Sequence, residues 1–175
     1  MASPFSLPWG SSVIAMVSAL NVYGSSLTSS PTASGAIILT IPDAPLNLAN
    51  NLLVTFGTSI GLTWSPGTSN GGTPVIDYTL WSDAGSSGST YQPVVTSLTS
   101  TSYTVTGLGL GKTYTFSVQS RNAFGLSTFS ATTSILAAQQ PDIPLAPVTT
   151  FLRTSVSVAW TAPYNGGSPV TGYRV

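Results

Sequence analysis

The sequence predicts an all-β protein made of sandwiches of short strands, and three observations carry that expectation. β-Branched and aromatic residues run evenly through 175 residues, punctuated by 17 Gly and 13 Pro, as in chains of short strands and tight turns. Polar and apolar residues alternate with period two in several stretches, the pattern of strands with one buried and one wet face. A set of markers also returns in the same order after about 95–101 residues, and such recurrence signals a repeat architecture.

Along the chain, strands are expected near 46–55, 58–65, 74–82, 91–95, 101–106, 112–121 and 126–137. Ser59-Ile60-Gly61-Leu62-Thr63-Trp64 alternates, and so does Ser155-Val156-Ser157-Val158-Ala159-Trp160. Thr113-Tyr114-Thr115-Phe116-Ser117-Val118 alternates too, placing Tyr114, Phe116 and Val118 inward. Asn70-Gly71-Gly72 and Asn165-Gly166-Gly167 supply positive-φ positions, and Pro74 or Pro169 then starts the next strand.

The repeat is read from several independent markers. Leu7–Gly24 aligns without a gap on Leu108–Gly125, at a spacing of 101. Pro42-Asp43-Ala44-Pro45-Leu46 returns as Pro141-Asp142-Ile143-Pro144-Leu145, Trp64 as Trp160, and Asn70–Pro74 with Tyr78 as Asn165–Pro169 with Tyr173. The expected division is 1–41, the last strands of a first unit; 42–140, a complete unit; and 141–175, strands A, B and C of a third. Half a sandwich exposes an apolar face, so the outer units are expected to be completed by further polypeptide. That polypeptide would be either a longer tandem chain or strands exchanged with a second copy.

These markers together resemble the fibronectin type III domain, an immunoglobulin-like β-sandwich. The resemblance rests on the Pro-x-x-Pro entry, Trp64 and Trp160, the Gly-Gly-x-Pro turns followed by Tyr78 and Tyr173, Gly107-Leu108, Tyr114 and the Asn122-x-x-Gly125 turn. It implies a structural core containing Trp64, Tyr78, Leu108, Tyr114, Trp160 and Tyr173, with Leu108 as a plug and Tyr114 in a tyrosine corner. The first unit departs from the pattern, with Val13 in place of that Tyr and Trp9 where the second has Leu110.

Composition removes most chemistry. There is no His, no Cys and no Glu, and the charged residues are Lys112, Arg121, Arg153, Arg174, Asp43, Asp77, Asp83 and Asp142. No zinc, haem or iron–sulfur site and no His-activated nucleophile is expected, so neither catalytic residues nor cofactors are assigned. Four dispersed cations offer no footprint for nucleic acid or an anionic membrane.

Several tempting signals have blander readings. Val13–Leu20 looks like a signal-peptide core but lacks a preceding basic residue and aligns with a strand. At eight residues it is also too short to span a membrane. Gly107–Thr113 lacks the spacing of a phosphate loop. Asp43 and Asp142, one at each Pro-rich joint, are too few to hold calcium and fit turn or cap roles. Asp77 and Asp83 are expected at solvated surface positions. Trp81, Tyr91 and Tyr103 are a candidate contact patch for sugar or a neighbouring protein.

The functional expectation is a non-catalytic structural component of an extracellular filament, stalk or surface appendage. The alternative is a spacer or binding module of a larger secreted carbohydrate-active enzyme or cell-adhesion protein. Expected partners are neighbouring domains, other copies of the chain and O-linked glycans at 25–34 and 85–90. Ser and Thr make up 28 and 25 residues, and no N-linked sequon occurs. Arg-Gly-Asp is absent.

Overall fold

The computed structural model describes residues 7–88 and 90–175. Residues 1–6 of the expected first unit, and Ser89 of the expected glycan stretch, lie outside them. The described residues contain β-strands and no α-helix. Four short strands come first: β1 (Ser12–Val13), β2 (Leu20–Asn21), β3 (Gly24–Ser25) and β4 (Ala36–Ile37). The middle region holds β5 (Leu46–Asn50), β6 (Ile60–Ser65), β7 (Asp77–Ser82), β8 (Gln92–Leu98), β9 (Ser102–Val105), β10 (Thr113–Arg121) and β11 (Thr133–Leu136). A hairpin of β12 (Val148–Leu152) and β13 (Ser155–Ala159) follows.

The seven middle strands form two antiparallel sheets, β5-β6-β9 and β11-β10-β7-β8. Their inward residues meet in one core: Ile60, Leu62, Trp64, Tyr78, Leu80, Val105, Tyr114, Phe116, Val118, Ile135 and Ala137. Trp64 meets Tyr78 edge-on, with ring centroids 5.8 Å apart, and Leu108 leans on the cluster from the rim. Each large side chain taken out of water here stabilises the sandwich by about 1.5–3 kcal/mol. The Tyr114 hydroxyl accepts the Gly109 N–H at 2.8 Å, tying the loop before β10 to the strand itself.

Two strands are shorter than their sequence suggests. β5 stops at Asn50 because the chain then turns, the Thr55 N–H donating back to the Asn51 carbonyl at 3.1 Å. Leu52 and Leu53 consequently point into water. The last strand, expected from 126, forms a regular ladder only from Thr133. Before that point, Ser127 and Ser130 donate their N–H groups to the carbonyls of Ser120 and Val118. Their hydroxyls accept the N–H groups of those same residues, both at 3.0 Å. The last segment therefore advances three residues for every two on β10, and hydroxyls replace the carbonyls that this mismatch displaces. The N-terminal segment repeats the device: Ser26, Ser29 and Thr32 donate to the carbonyls of Ala19, Val17 and Ala15, whose N–H groups return to the three hydroxyls.

The C-terminal segment corrects two expectations. Residues 169–175 join no strand ladder, although strand C was expected there. In the middle sandwich the corresponding β7 pairs with β10 and β8, not with β6. The described residues offer the C-terminal segment no counterpart of β10 or β8. Trp160 and Tyr173, expected in a core, pack edge-on at 5.2 Å but remain well exposed, because among the described residues no second sheet lies over them.

Candidate interaction surface

The alternation that buries Tyr78 and Leu80 turns Asp77, Thr79 and Trp81 to the outer face of the four-stranded sheet. On β10 the same parity sends Ser117, Gln119 and Arg121 outward, and the register places them opposite Trp81, Thr79 and Asp77 respectively. Ser117 and Gln119 fasten the segment after β10, donating to the carbonyls of Ser130 at 3.1 Å and Ser127 at 2.8 Å. That segment lays Phe129 edge-on against Trp81, with centroids 5.5 Å apart. Beside them opens a groove of about 280 Å³ lined by Tyr91, Ser117, Phe129 and Thr132.

The structure thus brings Trp81 and Tyr91 to one face and separates Tyr103 from them. Tyr103 lies on β9 in the other sheet, opposite Leu62, and packs against the core. Phe129 takes its place in the patch. Its outward position was not readable from alternation, since the three-for-two advance scrambles parity over 126–132.

The two acids expected in water are buried. Arg121 donates to both carboxylate oxygens of Asp77, which lies directly opposite it across β7 and β10. This contact holds the Arg121 guanidinium above its ordinary range, first by hydrogen bonding and then by the charge of Asp77. Asp83 organises the loop after β7. Burial pushes its carboxyl up, but N–H groups of Thr115, Gly85 and Gly88 outweigh that and leave it below the usual range. These bonds measure 2.9, 3.0 and 2.8 Å. Burial and then the nearby Asp83 charge push the Tyr91 hydroxyl up. At the first joint, Asp43 accepts the Ser69 N–H at 2.8 Å.

Rings, hydroxyls and one ion pair make up this face. Among the described residues, no group of three or more His, Cys, Asp or Glu is placed to hold a metal ion. No described helix is long and apolar enough to cross a membrane.

Comparison with known proteins accords with this architecture. The family model "Fibronectin type III domain" matches residues 49–135. Chitinase A1 of Niallia circulans is 32% identical over 145 residues, covering 78% of this chain and 19% of that protein. Human Myomesin-2 is 30% identical over 187 residues, covering 97% of this chain and 12% of its own length. The chain therefore spans under a fifth of either relative. Among solved structures, domains A168–A170 of titin superpose with a TM-score of 0.55 at 24% identity, over 77% of this chain and 44% of that one. That likeness concerns the fold.

Proposed function

Because the chain belongs to the fibronectin type III family, whose domains are structural and binding modules, we propose that it is a non-catalytic component of an extracellular filament, stalk or surface appendage. The observation that carries this reading is recurrence within one chain: the same strands, turn glycines and hydroxyl ladder return at 95–101 residues. The units proposed are 1–41, 42–140 and 141–175. Eight charged residues in 175 leave little electrostatic means of keeping copies apart. Association with other copies or O-linked sugar would suit such a surface. In the stretch 25–34 the hydroxyls of Ser26 and Ser29 are already engaged. Thr28 and Ser30, exposed and outside that ladder, are the better acceptors.

Electron microscopy of the native material, with its intact mass and a salt titration, tests the reading. Filaments that persist from about 0.01 to 1 M salt are expected, because few ion pairs exist to be screened. Unmodified single chains released as salt rises would defeat it.

A second reading, a spacer or binding module of a larger carbohydrate-active or adhesion protein, draws on the Trp81–Phe129–Tyr91 groove and the relation to Chitinase A1. Titration with chito-oligosaccharides, followed by tryptophan fluorescence in the parent and in Trp81→Ala, separates the two. A saturable change lost in the variant favours the module.

A further inference from the structure

The two ends of the middle sandwich are joined to their neighbours by the same plan. At the first joint, the Gly10 N–H donates to the Ile38 carbonyl at 2.7 Å, and Gly72 lies flat against it. A Cβ on Gly72 would stand 2.5 Å from the Gly10 nitrogen and 2.9 Å from the Ile38 oxygen. At the second joint, the Gly111 N–H donates to the Ala137 carbonyl at 2.8 Å. A Cβ on Gly167 would stand 2.6 Å from the Gly111 nitrogen and 3.2 Å from the Ala137 oxygen.

The match continues along each linker. The Thr40 N–H donates to the Gly71 carbonyl at 2.9 Å, and the Gln139 N–H to the Gly166 carbonyl at 2.8 Å. Asp43 donates to Ser69, and Asp142 to Tyr164, both at 2.9 Å. A Cβ on Gly71 would meet the Thr40 oxygen at 2.2 Å, and one on Gly166 the Gln139 oxygen at 2.4 Å. All six glycines have positive φ: 86°, 73° and 87° for Gly10, Gly71 and Gly72, against 77°, 67° and 89° for Gly111, Gly166 and Gly167. Asn122 adds a side-chain clamp at the first joint. Its amide donates to the carbonyls of Thr40 and Asn70, both at 2.8 Å, while its oxygen accepts Phe124 and Gly125 N–H groups.

We propose that these glycines form one recurrent docking surface, on which the loop before the penultimate strand of each sandwich seats the Asn-Gly-Gly turn of the next. The partner is therefore the successor domain, held at a fixed angle. One main-chain hydrogen bond per joint crosses between units, from Thr40 to Gly71 and from Gln139 to Gly166. A second anchors the start of the next unit, from Asp43 to Ser69 and from Asp142 to Tyr164. With prolines fixing φ at positions 42, 45, 141 and 144, these leave the linker few soft dihedrals. A Gly/Ser linker would behave instead as flexible coil. The surface needs glycine because all six positions have positive φ, and a Cβ at Gly71, Gly72, Gly166 or Gly167 would overlap backbone. This inference rests on the tandem arrangement.

The test uses the full 175-residue chain, which has no cysteine, with spin labels at Leu27→Cys and Leu53→Cys; both sites are exposed. A single narrow distance distribution is expected. Gly107→Ala should leave it unchanged, since Gly107 shares the φ of Gly71 but has no atom within 4 Å of its would-be Cβ. Gly71→Ala should at least double the width. Asn122→Asp keeps the turn's acceptor and loses the clamp's donors; it should broaden the distribution while the near-UV spectrum of the sandwich is retained. Should Gly71→Ala fail to fold, Asn122→Asp decides alone. A parent distribution already as broad as the variants, or variants as narrow as the parent, overturns the docking surface. Neither result touches the repeat itself, so the tandem-array reading would stand.

Discussion

In β6, Ile60, Leu62 and Trp64 are 0, 1 and 5% exposed, whereas their counterparts Val156, Val158 and Trp160 are 60, 36 and 40% exposed. The two stretches share their alternation, and each supplies its Trp with a Tyr partner at 5.2–5.8 Å. What differs is the second sheet: Tyr114, Phe116 and Val118 of β10 share a core with the first Trp, and among the described residues no second sheet covers the other Trp. Alternation specifies which side of a strand is apolar, but burial comes from a partner far away in sequence.

Substitution at the paired tryptophans should widen this contrast most. Trp64→Ala is expected to cost about 3–5 kcal/mol in urea denaturation followed by circular dichroism. Trp160→Ala in the same chain should cost under about 1 kcal/mol, in line with surface substitutions. Comparable losses at the two sites would show that the C-terminal segment is closed in solution.

The hydroxyl ladder offers the next contrast. Ser130→Ala leaves the buried Val118 N–H without its acceptor and should cost about 1–3 kcal/mol. Ser29→Ala, in the exposed N-terminal ladder, should shift the denaturation midpoint little. Tyr114→Phe removes the hydroxyl held by Gly109 and should cost about 1 kcal/mol; its counterpart Val13 makes no such bond to lose.

Acid should act on the middle sandwich through Asp83. Its folded-state pKa lies below its unfolded value, so the stabilisation is present above about pH 4 and lost as pH falls through the folded value. Thermal melts of the parent should decline over that window, and those of Asp83→Asn should decline less. The smallest effect is expected at Asp77→Asn: the carboxylate is buried, but its partner Arg121 is half exposed, so water screens the pair.

Much of this was legible in the sequence. The period of two in 59–64 and 113–118 specified the inward faces, and the repeated Asn-Gly-Gly specified turns with positive φ. The fate of the acids was not legible, because a carboxylate in a nearly uncharged chain reads as solvent-facing until register is known. Asp77 is buried by the residue that β10 places opposite it, and Asp83 by N–H groups from a loop and a neighbouring strand. Phe129 escaped for a different reason: alternation presumes that paired strands advance in step, and here they do not. Strand C of the last segment was expected from local pattern alone, yet its ladder partners are non-local.

That unequal advance gives the sandwich a mechanical reserve. Between Ser127 and Thr133 the chain uses six residue steps to cover the length that β10 covers in four, from Ser120 to Phe116. At about 3.4 Å per extended residue, the two extra steps are about 7 Å of slack. Tension carried through the end of the chain would have to break the β10–β11 ladder at Thr133–Leu136 first, and the serine contacts and this slack would follow. In a series of such sandwiches the slack would lengthen each unit once its last strand had let go, an extension residing in serine spacing rather than in the joints.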